Sequence, residues 1–419
     1  MPAYIPLELV ILMLAYLRDD KQSLSHCSLV CRGWAPLAYQ HGFRTITVHK
    51  PRLGLSIAVD RLLTRLRTVP HLKTYIQELA LTANELAPAP HQTLHAGSLR
   101  TLLLELNELR ILRISHANLV LPSPTIPPAL LCTVRKLSVL SLAAMTAPPG
   151  AFTLSQVLGL FAEVQELHLD NFASYPLNQA FFRTEAPADH GALSKFAVRH
   201  RVKSMAIVNC CPSITMTALW SLRHIVGASS LSGLALQMLD LGALTVLDEL
   251  IRTTGLVVRH LELNFLRLPL SYDIHSLQYG FDIAALANVA TLEAVHLTMI
   301  LWAHQVHTEK NCALWRCFTA FLAAIAGTVR SVHITLHTAE LRTICAAPVT
   351  ADTALHYLSS LDWKSLEDAM SRSLCLERVS IEAVNGDSED GRSTWLGEEM
   401  RNLVDTKMAG KARALLEFP

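Results

Sequence analysis

The sequence predicts a mixed fold, in which a short N-terminal unit of three helices precedes an α/β solenoid with a parallel sheet. Three observations predict it. Two short apolar segments separated by a charged turn fill most of the first 44 residues. Past residue 75, a strand-like pattern of apolar residues returns at intervals of roughly 25 to 47 residues. Helical periodicity fills many of the gaps between these strands, and alternating strands and helices favour parallel pairing.

The first helix is predicted to start near Pro6, because a first helical turn tolerates proline. From Leu7 to Leu17 the only charged residue is Glu8, so this helix is apolar around almost its whole circumference. A unit of about 40 residues cannot cover such a helix on every side. We therefore expect one side to contact a partner. Leu9, Met13 and Leu17 form a stripe at helical spacing.

A charged turn, Arg18-Asp19-Asp20, follows, and Asp20 is a candidate N-cap for a second helix. Leu24, Cys27, Cys31 and Trp34 recur at helical spacing, which predicts that this helix continues to Trp34 with both thiols on one apolar face. Pro36 makes a longer helix unfavourable. A short third helix is then expected over residues 37–41.

These residues resemble an F-box. The resemblance is carried by Ile5-Pro6-Leu7-Glu8-Leu9, by Met13-Leu14-Ala15-Tyr16-Leu17, by Val30-Cys31-Arg32-Gly33-Trp34 and by Phe43-Arg44. The family usually has leucine where this chain has Ile5. The resemblance implies docking on the Skp adaptor and, through it, on a cullin and a RING subunit. The alternative is that these are ordinary core helices. The residues whose family counterparts dock on the adaptor are Ile5, Pro6, Leu9, Met13, Leu14, Leu17, Leu24 and Val30.

The repeated pattern is an apolar residue, two residues, an apolar residue, one residue and an apolar residue. It occurs ten times, at Ile76-Leu79-Leu81, Leu109-Leu112-Ile114, Val134-Leu137-Val139, Val164-Leu167-Leu169, Val202-Met205-Ile207, Leu231-Leu234-Leu236, Val258-Leu261-Leu263, Leu292-Val295-Leu297, Val329-Val332-Ile334 and Leu376-Val379-Ile381. Helices are expected in the gaps, over residues 57–66, 94–106, 154–161, 218–225, 244–251, 283–289, 312–325 and 363–370.

The pattern resembles a degenerate leucine-rich repeat, in which stacked units share one core. That family places asparagine or cysteine eight residues after the first repeat position. Only Asn84 and Cys210 satisfy this, whereas other units place Ala117, Leu142 or Phe172 there. The turn of this repeat is therefore expected to differ from the standard one. A compact α/β body with an irregular parallel sheet is the alternative.

We accordingly predict four segments: residues 1–44 as the F-box, 45–75 as a helical linker or N-terminal cap, 76–384 as the repeat region, and 385–419 as a C-terminal capping helix and tail. Three insertions, at residues 171–199, 267–280 and 338–361, are richer in polar and aromatic residues. Such insertions often carry binding sites.

The composition and motifs of the chain limit the classes of ligand and the compartments that we expect for it. The formal charge is +1, and no basic run with interleaved aromatic residues occurs, so nucleic acid is not expected as a ligand. No apolar run reaches membrane-spanning length and no signal peptide is recognisable. Nine irregularly spaced cysteines suit free thiols, and we expect a cytoplasmic or nuclear protein. Neither a phosphate-binding loop nor a metal-ligand motif indicates a cofactor.

His168, His296 and His333 occupy outward positions of the repeat strands, where a row of histidines would contribute to a ligand surface. The function expected from both resemblances is a substrate-recognition subunit of an SCF-type cullin-RING ubiquitin ligase, with no catalytic residue of its own. Its substrate would be a protein bound by the repeat region. Two alternatives remain open: a Skp-binding scaffold or interaction module without ligase activity, and an enzyme whose site is dispersed among the insertions.

Overall fold

A computed structural model describes residues 5–85, 89–120, 136–146, 153–172, 201–225, 231–237, 257–265, 291–302, 308–325, 327–339, 358–373, 375–385, 394–408 and 416–417, together with residues 181, 247 and 356. The fold is mixed α/β: a helical N-terminal segment precedes parallel strands with intervening helices. Contacts divide the chain into two compact units, Met1–Val202 and Lys203–Pro419.

The N-terminal segment has three short helices, α1 (Leu7–Tyr16), α2 (Lys21–Val30) and α3 (Trp34–Gly42). Pro6 precedes α1, and its carbonyl oxygen accepts hydrogen bonds from the first turn, as expected. The carboxylate of Asp20 accepts hydrogen bonds from the amides of Gln22 and Ser23, which confirms the predicted N-cap.

The predicted boundary between the second and third helices was wrong. The backbone of Cys31 is extended, which ends α2 at Val30, and Trp34 starts α3. Helix α3 therefore begins three residues before the predicted Leu37, with Pro36 in its first turn, where proline costs no hydrogen bond. Leu24 and Trp34 do contact a common core, from different helices.

The core of this segment is small. Val10 and Leu14 of α1, Leu24 of α2 and Ala38 of α3 are almost completely buried, and Leu17, Cys27, Trp34 and Leu37 pack around them. The buried stripe of α1 is thus Val10 and Leu14, and Leu9 and Met13 lie on the exposed side. Because Val10 and Leu14 are four residues apart, they lie one above the other on the same helix face.

The rest of the first unit alternates strands with helices. In chain order its elements are β1 (Thr45–His49), α4 (Leu55–Thr68), a 3-10 turn (Pro70–Thr74), β2 (Glu78–Thr82), α5 (Ala89–Gln92), β3 (Thr93–His95), α6 (Ala96–Glu105), β4 (Ile111–Ser115), β5 (Asn118–Val120), β6 (Lys136–Ala143), α7 (Leu154–Leu158) and β7 (Glu163–Asp170). Strands β1, β2, β4, β6 and β7 pair in that order, all parallel, and β3 pairs with β5.

The second unit continues the same alternation. Its elements are β8 (Arg201–Val208), α8 (Pro212–Ile225), β9 (Gly233–Gln237), β10 (His260–Asn264), β11 (Ala294–Trp302), α9 (Thr308–Ile325), β12 (Ser331–Ala339), α10 (Trp363–Arg372), β13 (Arg378–Asn385), α11 (Thr394–Lys407) and β14 (Leu416–Glu417). Strands β8 to β14 pair in chain order, and every pair is parallel.

The apolar positions of the repeated pattern form the core of each unit. Leu79, Leu112, Leu140 and Leu167 lie side by side across the first unit and are completely buried. Leu112 pairs with Leu140, so the third motif is Leu137-Leu140-Leu142, and the predicted frame starting at Val134 was displaced by three residues. Both frames place apolar residues at similar spacing, and only the strand register distinguishes them.

Strand β1 lies inside the segment predicted as a helical linker, and its register with β2 adds one more motif, Phe43-Ile46-Val48. Helix α4 of the same segment confirms the helix predicted over residues 57–66. The helices predicted over residues 94–106, 154–161, 218–225, 312–325 and 363–370 overlap α6, α7, α8, α9 and α10, and the capping helix overlaps α11. The helix predicted over 283–289, all but one residue of that over 244–251, and most of the three insertions lie outside the described residues.

Five motifs share a left-handed residue seven positions after the motif begins. These residues are Lys50, His116, Ala144, Asn171 and Asn209, with φ between 42° and 55°. The amides of His116 and Ala144 still donate to the last residue of the next strand, at 3.0 Å in both cases. The following residue is then buried, as at Ala117, Met145 and Phe172. In these motifs, the turn that was expected to differ from the standard one contains a residue in the left-handed conformation.

Candidate functional site

Large apolar side chains are exposed together on the N-terminal helices. On α1 and its approach they are Ile5, Leu7, Leu9, Ile11, Leu12, Met13 and Tyr16, and at the end of α2 they are Leu29 and Val30. We call these nine residues the N-terminal apolar surface. Exposed apolar side chains concentrated on one short segment in this way indicate a site of association. Burying one leucine against a partner contributes about 1.5 to 3 kcal/mol.

The eight residues expected to dock on an adaptor divide between this surface and the core. Ile5, Pro6, Leu9, Met13 and Val30 are exposed, Leu17 is half-buried, and Leu14 and Leu24 are buried core residues. Leu14 and Leu24 therefore support the helices from within and are not accessible to a partner in this conformation.

Sequence reasoning missed five members of the surface, which are Leu7, Ile11, Leu12, Tyr16 and Leu29. Four of them lie on α1, and their signal was the apolar character of that helix on every side. Because only Val10 and Leu14 of α1 are needed for the small core, the remaining apolar residues of the helix stay exposed.

A second group of side chains lies on the outward side of the strands in the second unit. The register aligns Glu262, His296, His333 and Ser380 in one row across β10 to β13, and Asn264, Thr298, Thr335 and Glu382 in the next. His337 follows on β12. We call these nine residues the polar face. The prediction that His296 and His333 point outward is confirmed by their partial exposure between buried neighbours.

Hydrogen bonds join β11 and β12 in the polar face, and longer contacts to carboxylates extend this group of side chains to β10 and β13. The Oγ1 atom of Thr335 lies 2.9 Å from Nε2 of His296 and 3.1 Å from Nε2 of His333. Since a hydroxyl donates only one proton, it donates to one ring and accepts from the other. Carboxylates lie 3.9 Å from Nδ1 of His296, at Glu262, and 3.7 Å from Nε2 of His333, at Glu382.

One arrangement of protons satisfies all these contacts. His333 carries its proton on Nε2, towards Thr335 and Glu382, and the Thr335 hydroxyl donates to the bare Nε2 of His296. His296 then carries its proton on Nδ1, towards Glu262. Both histidines are neutral in this arrangement.

Burial favours the same neutral state. It lowers the pKa of His296 to about 4, with further lowering by the nearby His333 and His337. Burial also lowers the pKa of His337, against the opposing effect of Glu382. The pKa of Glu262 is raised, mainly by burial. At neutral pH the imidazoles of His296 and His337 are therefore uncharged.

The lowered pKa of His296 predicts acid-sensitive stability. Its unfolded pKa is about 6.5, so between about pH 6.5 and 4 the unfolded chain binds a proton that the folded chain does not, and the free energy of unfolding falls as the pH falls. After allowance for solvent screening, because the ring is 35% exposed, we expect about 1 to 2 kcal/mol from this residue. His296→Asn should remove that part of the pH dependence, measured by urea unfolding at about pH 7 and 4.5.

His168→Asn is the matched control. His168 lies at the equivalent outward position of β7 in the first unit, with its Nε2 atom 3.4 Å from Glu166 and no second histidine pairing with it. The control should keep the slope of the wild type. Equal slopes for His296→Asn and the wild type would contradict the role given to His296.

The polar face has the geometry of a binding surface more than that of a catalytic site. Thr335, His296 and Glu262 are ordered as a nucleophile, a base and an orienting acid would be. Thr335 is almost completely buried, however, and its oxygen also accepts a hydrogen bond from His333. The 3.9 Å between His296 and Glu262 exceeds hydrogen-bonding distance.

The described residues were also compared with the requirements of a metal site. Among them, no group of three histidine, cysteine, aspartate or glutamate side chains is arranged to hold a metal ion. The expectation that Cys27 and Cys31 share one apolar face was wrong, because Cys27 packs against the helical core and Cys31, beyond the end of α2, is exposed. No described helix is both long enough and apolar enough to cross a membrane.

Comparison with models of known protein families and with curated proteins gives no match to this sequence. The resemblance of the first 44 residues to an F-box therefore depends on the motif residues themselves.

Proposed function

We propose that this protein is a substrate-recognition subunit of an SCF-type cullin-RING ubiquitin ligase. In this proposal the N-terminal helices are an F-box that binds the Skp adaptor, and the strands and helices after residue 45 form a leucine-rich-repeat-like solenoid that binds the substrate. The observation that carries the proposal is the N-terminal apolar surface, which lies on the helices with the F-box-like motifs and stays uncovered by the small core.

The contribution of such a subunit to catalysis is proximity. Holding a substrate lysine near a thioester on another subunit turns a bimolecular encounter into an effectively intramolecular one. This role requires two binding surfaces on one chain and no catalytic residue.

The test is co-purification of the Skp adaptor with the full chain and with a variant carrying Pro6→Ala and Leu9→Asp. Leu9 is 51% exposed, so a charge there can be hydrated in the free protein and would be buried only in the complex. We expect the affinity for the adaptor to fall by at least about 30-fold, the effect of losing one hot-spot residue.

Leu104→Asp provides a matched control, because Leu104 is 52% exposed on α6 in the same compact unit and lies outside the N-terminal apolar surface. Circular dichroism establishes that each variant is folded. Failure of the folded wild type to bind the adaptor would contradict the proposal. Adding cullin and RING subunits to the adaptor complex then separates a ligase receptor from a Skp-binding scaffold.

A further inference from the structure

The carboxylates of the polar face keep most of their hydrogen-bonding capacity. Glu262 and Glu382 lie beyond hydrogen-bonding distance of the nearest imidazole nitrogens, and their side chains are 44% and 27% exposed. In the arrangement of protons described above, His296 carries no charge that would neutralise Glu262. An approaching cation would also stabilise the charged form of Glu262.

Three arginines of this unit lie at the starts of its strands. Arg259 is 3.7 Å from Glu293, Arg330 is 3.7 Å from Glu377, and Arg378 begins β13, one row before Ser380. Arg259 and Arg330 thus form ion pairs with carboxylates at the same edge of the sheet. The central rows of the polar face therefore carry negative charge and polar, uncharged groups.

The spacing of the two carboxylates constrains what can bind both. Glu262 is on β10 and Glu382 on β13, three strand spacings apart and offset by one row. At about 4.8 Å per strand and about 7 Å per row, this corresponds to roughly 16 Å. Residues four apart in an extended peptide lie on one side of it, about 13 Å from each other. The long side chains of lysine or arginine can span the remaining distance.

We propose that the polar face binds an extended peptide segment with two basic side chains four positions apart, one at Glu262 and the other at Glu382. The imidazoles of His296 and His333 lie between these carboxylates, are each 35% exposed, and offer polar contacts to the middle of the segment. A phosphorylated or acidic segment would meet two like charges and no cation in these rows. The inference that this segment belongs to a ubiquitination substrate rests on the proposed receptor function. Peptide binding by the polar face does not itself require the adaptor.

The experiment uses the purified full chain and fluorescently labelled peptides of one composition. Two lysines stand at positions i and i+1, i and i+4, or i and i+8, in an otherwise Gly/Ser/Thr sequence, and a fourth peptide has glutamates at i and i+4. Anisotropy titrations at low salt and about pH 7 should give affinity at least about tenfold tighter for the i, i+4 lysine peptide than for the others.

The double variant Glu262→Gln with Glu382→Gln should lose at least about tenfold in affinity for that peptide. Glutamine keeps the shape of glutamate, so the fold should persist, and circular dichroism checks it. Glu166→Gln is the matched control, because Glu166 lies outward on β7 of the other unit beside a histidine, and should leave the affinity within about twofold.

The proposal is overturned by equal affinity for all lysine spacings, by tighter binding of the glutamate peptide, by binding that the double variant leaves unchanged, or by no binding of any peptide. Its failure would leave adaptor co-purification unaffected, since that assay reads the N-terminal apolar surface. Conversely, spacing-dependent peptide binding without adaptor binding would retain this site and remove the ligase role.

Discussion

Replacing Trp315 with alanine is expected to lower the free energy of unfolding by about 3 to 5 kcal/mol, among the largest effects of any single substitution in this chain. Trp315 lies on α9 and is completely buried. Its ring contacts that of Trp363 on α10 with 5.1 Å between the ring centres, and its Nε1 group donates a hydrogen bond of 2.9 Å to the carbonyl oxygen of Asp362. Alanine would leave a cavity and an unpaired carbonyl group between two helices.

Urea unfolding followed by circular dichroism measures this loss, because the substitution itself changes tryptophan fluorescence. Trp220→Ala is the matched control: Trp220 lies on α8 of the same unit and is 39% exposed, so its loss should cost less than about 1 kcal/mol. Trp315→Phe, which keeps most of the packing and removes the donor, should lie between the two. Equal effects of Trp315→Ala and Trp220→Ala would contradict the packing described for α9 and α10.

Substitution by aspartate at two neighbouring positions of α1 should change the stability of the N-terminal helices by very different amounts. Leu14→Asp would bury a carboxylate among Val10, Leu24 and Ala38, and we expect the N-terminal helices to lose at least about 4 kcal/mol of stability and to unfold. Met13 is exposed, so Met13→Asp should leave the helices folded. Limited proteolysis and circular dichroism of the full chain measure the difference.

Adaptor binding is a second measurement on which the Met13→Asp and Leu14→Asp variants can be compared. Under the proposed function, Met13→Asp abolishes binding from a folded surface, whereas Leu14→Asp abolishes it by unfolding the helices that carry the surface. A folded Leu14→Asp variant would contradict the assignment of Leu14 to the core. A folded Met13→Asp variant that binds the adaptor as the wild type does would remove Met13 from the docking surface.

Much of the fold was predictable because the spacing of apolar residues along the sequence shows which side of each strand is buried. Motifs such as Leu109-Leu112-Ile114 have their last two residues on one side of a strand, and the register confirms this side as the core. The displaced frame near Val134 arose because that stretch offers apolar residues in two overlapping frames. Strand β1 was missed because its motif, Phe43-Ile46-Val48, directly follows residues that were interpreted as the end of the helical unit.

The candidate sites were predictable in part. Exposure around α1 follows from its apolar character, but the division of α1 into Val10 and Leu14 inward and Leu9 and Met13 outward depends on where α3 packs. His296 and His333 could be placed outward from alternation alone. Their link through Thr335, and the opposing carboxylates of Glu262 and Glu382, required the register of four strands. At every step between these strands, the paired residues lie more than 30 positions apart in the chain.

The left-handed residue that follows five of the strands bears on how this sequence can diverge. Lysine, histidine, alanine and asparagine all adopt this conformation here, although for a residue other than glycine it costs roughly 1 to 2 kcal/mol. The neighbouring strands thus impose the turn, and the side chain at that position does not specify it. Mutation can therefore replace the residue at that position while the geometry of the turn persists, so lineages of this protein would share a turn that comparison of their sequences alone would not reveal.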